Sequence, residues 1–188
     1  VLVLDISTIA MQIGRPIDVI LGMEAFRAGI VDIDFPRRRI RFARADGFVP
    51  PAGAIAVPVR DANGRRTIAI GIGDGPPIAA DIDIGHGGSL ILSRAVWEAD
   101  RNVAALPWVP TTAGGVGGRT PKRFTTLPEV SVAGHRLRNV PTMLNEGAND
   151  LPESGANVGI DLLQRFRLIF HYGRSTLWLV PDEAALAT

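Results

Sequence analysis

The sequence predicts an all-β fold, a closed β-barrel with short helices, and three observations support this prediction. Glycine and proline are abundant for a helical protein, at 21 and 14 residues. β-Branched residues are plentiful, and these residues favour strands. Short apolar segments of alternating pattern are separated by turn residues, as in strands joined by hairpins. The 188 residues, of which 46% are hydrophobic, suffice for one substantial core or two small ones.

The elements of the larger part of the chain follow from these patterns in order. Residues 66–72 alternate as a strand, residues 73–77 form a turn, and residues 78–83 return as the hairpin partner. Residues 89–92 form a strand, and Ser93 caps a short helix over residues 95–99. The later predicted elements are a glycine-rich hairpin, strands at 124–132 and 138–144 around a turn that contains His135, a helix at 161–166, and strands at 168–172 and 176–180.

Composition excludes several classes of function. The formal net charge of +1 gives no electrostatic reason to expect nucleic acid or an anionic membrane surface as a partner. No apolar stretch reaches the length of a membrane span. The chain has no cysteine, so neither disulfides nor thiol catalysis is expected. Nothing in the sequence pairs His135 and His171 with a metal ion, and we expect no metal or other cofactor.

An internal repeat with a constant offset divides the chain. Residues 22–42 align without a gap with residues 159–179, an offset of 159 − 22 = 137 residues. Each copy reads as a glycine, a short helix, a strand, a tight turn and a second strand. The same offset carries Asp83 to a position before Val1, because 83 − 137 = −54. We therefore expect the C-terminal half of a first repeat at residues 1–45 and a complete second repeat at residues 51–188.

Three landmarks occur in a fixed order and suggest one kind of chemistry. The first is an Asp-x-Gly turn, in which the glycine lets the backbone turn sharply behind a carboxylate. The second is a glycine-dense hairpin whose flexible tip could close over a cleft. The third is a hydrophobic strand that ends in glycine and leads into a short helix, which could support the turn. In this chain they are Asp83-Ile84-Gly85, Gly114-Gly115-Val116-Gly117-Gly118, and residues 157–163.

Peptide hydrolysis by carboxylates requires two of them close enough to share one proton. Like charges about 3 Å apart cannot both ionise, so their pKa values separate by roughly 3 units and the pair titrates as one unit. The ionised carboxylate takes a proton from a bridging water, and the protonated one hydrogen-bonds the scissile carbonyl oxygen. A lid over such a site expels water and orients the peptide.

The three landmarks resemble those of retropepsin-like aspartic proteases in residues, order and approximate spacing. The resemblance covers residues 66–180, the third landmark recurs at residues 19–24, and the chain is most similar to bacterial proteins with two retropepsin-like repeats. It implies a closed β-barrel acid-protease fold without a metal, in which two lobes each give one aspartate to a cleft. It also implies that Asp83 is catalytic, that Ile84 and Gly85 complete the active-site turn, and that residues 114–118 are the flap over a peptide or protein substrate.

The central residue of the turn departs from the family pattern. The family usually has threonine or serine where this chain has Ile84, and its hydroxyl hydrogen-bonds across the two lobes. Ile84 cannot donate that hydrogen bond, and a polar group left without its partner costs about 1–3 kcal/mol. Asp81 faces the same side of the strand as Asp83. We expect Asp81 to be solvated or hydrogen-bonded, because two aspartates of one strand are too far apart to share a proton.

Two interpretations of different class remain open, with a third, weaker one. The first is an aspartic endopeptidase whose second aspartate comes from polypeptide upstream of Val1 or from a second copy of the chain in a homodimer. The second is a catalytically inactive retropepsin-like module that binds extended peptides by strand addition. The third is an inert structural lobe of a larger protein. Members of the family are often exported, so a periplasmic or secreted location is favoured.

Overall fold

The protein is mostly β with a few short helices, which confirms the predicted fold class. The computed structural model describes residues 7, 10–11, 14–115, 118–147 and 154–186. The helices are α1 (Met23–Arg27), α2 (Arg94–Ala99), α3 (Arg101–Ala104), α4 (Ile160–Leu163) and α5 (Glu183–Leu186), with a 3-10 helix at Tyr172–Arg174. The strands are β1 (Ile30–Asp34), β2 (Arg39–Ala43), β3 (Ile55–Pro58), β4 (Arg60–Ala62), β5 (Arg65–Ile72), β6 (Ile78–Ile82), β7 (Leu90–Leu92), β8 (Val109–Gly115), β9 (Gly118–Val132), β10 (His135–Asn145), β11 (Ala156–Val158), β12 (Phe166–His171) and β13 (Thr176–Pro181).

An eight-stranded sheet contains most of these strands, in the order β4-β5-β6-β11-β7-β10-β9-β8. β5 also pairs with β9, so the strands from β5 to β9 in that order form a ring of paired neighbours. β6 and β11 are parallel, with Ala80 opposite Ala156 and Ile82 opposite Val158. β6 leads directly into the first sequence landmark, and β11 contains the first two residues of the third.

A five-stranded sheet, in the order β2-β1-β12-β13-β3, joins the amino-terminal part of the chain to the carboxyl-terminal hairpin. β1 and β12 pair antiparallel, with Val31 opposite Phe170 and Ile33 opposite Leu168. Every residue of β1 is buried. The two hairpins of the predicted repeat, β1–β2 and β12–β13, therefore lie in one sheet.

The hydrophobic core draws on strands of both sheets. Leu90, Leu127 and Leu137 of the larger sheet are fully buried, as are Phe166 and Phe170 of the smaller one. Removing one such side chain typically costs about 2–5 kcal/mol, because the cavity that it leaves closes only in part. Ala80 of β6 and Leu90 of β7, in the strands on the two sides of the turn at residues 83–89, belong to this core.

The structure corrects the extent of two predicted elements. His135, predicted in a turn, is the first residue of β10. The turn consists of Ala133 and Gly134, whose φ angles of 51° and 84° suit a two-residue hairpin loop. The helix predicted at 161–166 ends at Leu163, because Phe166 already begins β12. Strands β3 and β4 and helices α3 and α5 were not predicted.

An ion pair between Asp32 and Arg167 crosses the junction of β1 and β12. Arg167 donates from Nε to Oδ1 of Asp32 at 2.8 Å and from Nη2 to Oδ2 at 2.7 Å. The hydrogen bonds to Asp32 raise the pKa of Arg167, against the opposing effect of burial. Asp32 is only 6% exposed, so little water is available to replace the guanidinium.

Replacing Arg167 by alanine is expected to lower the free energy of unfolding by about 3 kcal/mol, because it leaves the buried Asp32 carboxylate without its partner. Denaturant unfolding measures this change. Arg136→Ala is the matched control, since Arg136 pairs with Glu129 at 3.4 Å on an exposed surface, where a pair contributes about 0–1 kcal/mol. Equal losses for the two variants would contradict the structural role of the buried pair.

Candidate functional site

Asp83 directly follows β6, where that strand runs beside the parallel β11. Its backbone N–H donates to the carbonyl oxygen of Val158 at 3.0 Å, so the pairing of the two strands continues for one more residue. The Asp83 side chain is partly buried. The strand pairing thus fixes the point at which the chain leaves the sheet and turns.

The Asp83 carboxylate accepts three hydrogen bonds. The backbone N–H groups of Gly85 and His86 donate to Oδ1 at 2.9 and 3.1 Å. The Nδ2 atom of Asn157 donates to Oδ2 at 3.0 Å. An ionised carboxylate only accepts hydrogen bonds, so this set of donors matches its chemistry. Since two donors belong to the turn itself, the turn fixes the direction of the carboxylate.

Asn157 is the first residue of the third landmark, but the sequence analysis gave its side chain no role at the site. It lies in β11 opposite Asp81 of β6, and its side chain reaches the turn that follows β6. Its position directly before Val158 and Gly159 was the only signal in the sequence. The Oδ1 atom of Asn157 is buried and has no hydrogen-bond partner among the described residues.

Asp81 is a hydrogen-bonded neighbour, as expected, and is 6% exposed. It accepts a hydrogen bond from Nη1 of Arg65 at 2.6 Å. Asp83 instead bonds to its own turn and to Asn157. The two carboxylates of this strand therefore have separate sets of partners.

The third landmark supports the turn through its backbone. The N–H group of Gly159 donates to the carbonyl oxygen of Ser89 at 2.9 Å, and that of Ile160 donates to the carbonyl oxygen of His86 at 2.8 Å. A Cβ atom on Gly159 would overlap the carbonyl oxygen of Gly88 and the ring of His86. Position 159 therefore requires glycine, because two backbone segments meet there without room for a side chain.

Ile84 stands between the carboxylate and the glycine of the turn, and its side chain is 37% exposed. It offers neither a donor nor an acceptor. An apolar residue in this position is available for contact with whatever faces the turn. The hydroxyl that the family resemblance leads one to expect is therefore replaced by an exposed apolar surface.

His86 packs behind the turn, and its surroundings favour the neutral imidazole. Burial lowers the pKa of His86 below its ordinary value of 6.5, and the charge of Lys122 adds to this effect. The carboxylates of Asp83 and Asp161 act in the opposite direction but do not outweigh burial. The Nε2 atom of His86 is buried and has no hydrogen-bond partner among the described residues.

The lowered pKa of His86 predicts a loss of stability in acid. Histidine ordinarily has a pKa of 6.5, so His86 of the unfolded chain becomes protonated as the pH falls below this value. His86 of the folded chain has a lower pKa and stays neutral longer. The free energy of unfolding therefore decreases as the pH falls through this range. His86→Gln is expected to reduce the dependence of the unfolding free energy on pH there, by at most about 1.4 kcal/mol per pH unit. Denaturant unfolding of both proteins between pH 7 and pH 5 measures the two slopes. Equal slopes would show that His86 does not titrate differently in the folded protein.

The predicted flap lies at the tip of the hairpin formed by β8 and β9. The two strands pair antiparallel up to Gly115 opposite Gly118, and Gly114 lies one position further from the tip. Val116 and Gly117, the other two predicted flap residues, lie outside the described residues. The described part of the predicted flap is therefore a paired β-ribbon.

Side-chain contacts tie the hairpin to the end of β10. The Nζ atom of Lys122 hydrogen-bonds Oδ1 of Asn145. Arg123 donates from Nε to Glu146 at 2.6 Å, and its guanidinium lies 4.2 Å from the centre of the Trp108 ring. These contacts join the base of the hairpin to the segments that flank it.

A cleft of about 780 Å³ lies elsewhere in the protein. Its walls include Ile72, Ile78, Val96, Val103 and Leu106, and none of its lining residues belongs to the Asp83–Gly85 turn. The turn is thus not part of this cleft.

Within the described ranges no three His, Cys, Asp or Glu side chains are grouped to hold a metal ion. None of the described helices has the length and apolar character needed to cross a membrane.

Comparison with known proteins establishes the fold. A retropepsin-like aspartic protease from Rickettsia conorii superimposes with a TM-score of 0.50 and 21% sequence identity. The match covers 68% of this chain and 89% of that protein. No protein-family model and no curated protein matches the sequence. The chain therefore has a retropepsin-like fold.

Proposed function

We propose that this chain supplies one catalytic carboxylate, Asp83, of an aspartic endopeptidase. The main support for this proposal is that three hydrogen-bond donors hold the Asp83 carboxylate in place. The turn that bears it is in turn hydrogen-bonded to the third landmark. In this proposal the second carboxylate comes from polypeptide upstream of Val1 or from a second copy of the chain. A site that lies between two lobes forms no enclosed cavity when only one lobe is present. The Asp83–Gly85 turn accordingly lies outside the 780 Å³ cleft.

The proposed chemistry uses the two carboxylates and one water molecule. The ionised carboxylate takes a proton from the water, whose oxygen attacks the scissile carbonyl carbon. The protonated carboxylate donates a hydrogen bond to the carbonyl oxygen and stabilises the developing negative charge. The C–N bond then breaks, and the departing nitrogen takes up a proton from the pair. The backbone donors of Gly85 and His86 keep Asp83 in place during these steps.

The glycine hairpin is proposed as the flap over the peptide. Glycine on both strands at Gly115 and Gly118 permits close approach of a substrate backbone. In this proposal the hairpin closes over the Asp83 carboxylate when a peptide is bound.

A second candidate function is a non-catalytic module that binds extended peptides. Two observations favour it: Ile84 lacks the hydroxyl that the family resemblance implies, and β8 ends the described eight-stranded sheet. An unpaired strand edge accepts a peptide by strand addition. This module would bind peptides with the same affinity whether or not position 83 carries a carboxylate.

Replacing Ile84 by threonine is expected to raise kcat/KM for an unstructured protein substrate by about 10-fold in the protein that contains both carboxylates. Threonine supplies a hydroxyl for the opposite lobe, and one hydrogen bond contributes about 0.5–1.5 kcal/mol. Ile84→Val is the matched control, because valine has nearly the shape of threonine but no hydroxyl. If both variants cleave at the same rate, a missing hydroxyl does not limit this site.

A further inference from the structure

We propose that the 780 Å³ cleft is a binding site for a small organic cation, a molecule that carries an ammonium group on an apolar body. The cleft lies where β5 turns into β6, and its walls come from that turn, from β9 and from the helices α2 and α3. The proposed peptidase chemistry does not use this cleft. The site would exist whether or not Asp83 is catalytic.

The cleft lies away from the Asp83–Gly85 turn. Ile78, which lines the cleft, is the first residue of β6, and Asp83 directly follows the last residue of that strand. Five residues of a strand, at about 3.3 Å each, span about 16 Å. The two regions are therefore at opposite ends of one strand, and a small molecule in the cleft does not contact the Asp83 carboxylate.

Apolar residues of the core line the cleft. Leu127 is fully buried, and Val103 and Ile72 are 4 and 8% exposed. Val96 and Leu106 pack against the same core but are only partly buried. The protein therefore holds a firm apolar surface that it leaves partly uncovered. Ligand pockets are typically pre-formed and lined mainly by such side chains.

Two alanines keep the helical side of the cleft open. Ala95 and Ala99 of α2 line the cleft, and both are exposed. Residues four positions apart share one face of a helix, and a methyl group fills little of the space beside that face. The volume of about 780 Å³ lies within the range of about 300–1,000 Å³ that ligand pockets occupy.

The charged residues around the cleft are mainly acidic, although the chain as a whole is nearly neutral. Asp74, Asp100 and Glu129 contribute three carboxylates to the lining, and Arg101 contributes one guanidinium. Three negative charges and one positive charge give a formal sum of −2, whereas the whole chain has a formal net charge of +1. Charge complementarity therefore favours a cation over an anion in the cleft.

Two of these carboxylates lie at one edge of the cleft. The backbone N–H of Gly73 donates to the carbonyl oxygen of Glu129 at 3.1 Å, which joins the turn that bears Asp74 to β9. Asp74 is exposed and has no hydrogen bond or ion pair among the described residues. Glu129 forms an ion pair with Arg136 at 3.4 Å. The Asp74 carboxylate is therefore available to an ammonium group, which has three hydrogen-bond donors.

The other two charged groups do not compete for this edge. Asp100 caps α3, because its Oδ1 atom accepts from two backbone N–H groups of that helix at 2.9 and 3.3 Å. Arg101 belongs to α3 and not to the edge formed by the turn and β9. The ammonium group would therefore lie beside Asp74 and Glu129, with the apolar body against the core residues.

Three probes with the same apolar body test the proposal: phenylbutylamine, phenylbutanol and phenylbutyrate. Each is titrated into the 188-residue chain at pH 7, and the shifts of backbone amide NMR signals locate the bound probe. We expect phenylbutylamine to shift the amides of residues 72–75 and 95–103, with a Kd of about 1 mM for a molecule of this size. Its affinity should exceed that of the other two probes at least about 5-fold, because only the ammonium group pairs with carboxylates.

Two substitutions with matched controls separate the charged part of the site from the apolar part. Asp74→Asn should abolish the preference for phenylbutylamine over phenylbutanol. Asp46→Asn is its control, since Asp46 is also exposed in a turn and followed by glycine but does not line the cleft. Ala99→Leu should weaken binding of phenylbutylamine at least about 5-fold, because leucine fills the cleft. Ala104→Leu should not, since Ala104 is an exposed residue of α3 outside the lining.

Any of four results would overturn the proposal. The first is the absence of amide shifts at the cleft. The second is phenylbutyrate binding as tightly as phenylbutylamine, which would contradict the charge argument. The third is a set of shifts centred elsewhere, for example on the exposed Phe42, which would indicate general binding to apolar surface. The fourth is self-association of the chain that shifts the cleft amides without any probe, which would make a second copy the occupant.

The Asp83→Asn variant separates this inference from the proposed function. We expect it to bind phenylbutylamine as the unsubstituted chain does, because position 83 does not line the cleft. Weaker binding by this variant would place the probe near the Asp83–Gly85 turn and would contradict the cleft as its site. Thermal unfolding of every variant tests whether a change in binding reflects general loss of structure.

Discussion

Replacing Asp83 by asparagine is expected to abolish peptide hydrolysis in the protein that contains both carboxylates. An amide takes no proton from water and cannot share one with a second carboxylate. General acid–base catalysis by one side chain contributes about 10²–10⁴-fold, so we expect kcat/KM to fall at least about 10³-fold. Cleavage of an unstructured protein substrate measures the loss.

The same substitution is expected to preserve the fold. The Oδ1 atom of the new asparagine still accepts from the N–H groups of Gly85 and His86, which now bond to Oδ1 of Asp83. Its Nδ2 atom faces Asn157, whose Oδ1 atom is buried and has no partner among the described residues. A rotation of the Asn157 amide would turn this acceptor toward the new donor. The free energy of unfolding should therefore change by less than about 1 kcal/mol.

Asp161→Asn is the matched control for charge near the turn. Asp161 acts on the pKa of His86, as Asp83 does, but lies in α4 and not in the turn. We expect its kcat/KM to remain within about 3-fold of the unsubstituted protein. Undiminished cleavage by the Asp83→Asn variant would end the endopeptidase hypothesis for this lobe and favour the peptide-binding module.

Replacing Gly159 by alanine is expected to destabilise the protein by at least about 3 kcal/mol and to remove activity with it. The added Cβ atom would meet the carbonyl oxygen of Gly88 and the ring of His86, and it would lie 2.8 Å from the carbonyl oxygen of His86. Overpacking costs about 1–3 kcal/mol where side chains can move, and a fixed backbone gives way less easily. A displaced turn would also misplace the Asp83 carboxylate, for which a shift of about 1 Å can cost about 100-fold in rate.

Gly87→Ala provides the control for the Gly159→Ala variant. It lies in the same turn region, but no atom would come within 4 Å of an added Cβ. Its free energy of unfolding should change by less than about 0.5 kcal/mol. Denaturant unfolding of both variants makes the comparison. Two equally stable variants would mean that the third landmark does not pack tightly against the turn.

The sequence predicted the local features of the site because these depend on short-range rules. Gly85, two residues after Asp83, indicated a sharp turn. Ser93 indicated a helix start, where its Oγ accepts from the N–H of Val96 at 3.3 Å. The strands from residue 66 onward were found through alternation of apolar residues, and β5 and β6 confirm them. Each of these signals lies within a few residues of the feature that it predicts.

Features that depend on distant segments were missed. Asn157 acts on Asp83 only because β6 and β11 lie side by side, although the two residues are 74 positions apart. β3 and β4 are three or four residues long, too short for an alternating pattern, and pairing with β13 and β5 defines them. The burial of Phe166 in β12 likewise ended α4 earlier than its sequence suggested.

The central claim is that Asp83 belongs to a pair of carboxylates formed by two lobes. The most direct measurement is a crystal structure of the protein in the form that contains both carboxylates, whether a longer chain or a homodimer, in which the separation of carboxylate oxygens can be read. We predict an oxygen of a second aspartate about 3 Å from the Asp83 carboxylate, close enough to share one proton. An Asp83 carboxylate that faces only solvent, with no other carboxylate within reach of a bridging water, would contradict the claim.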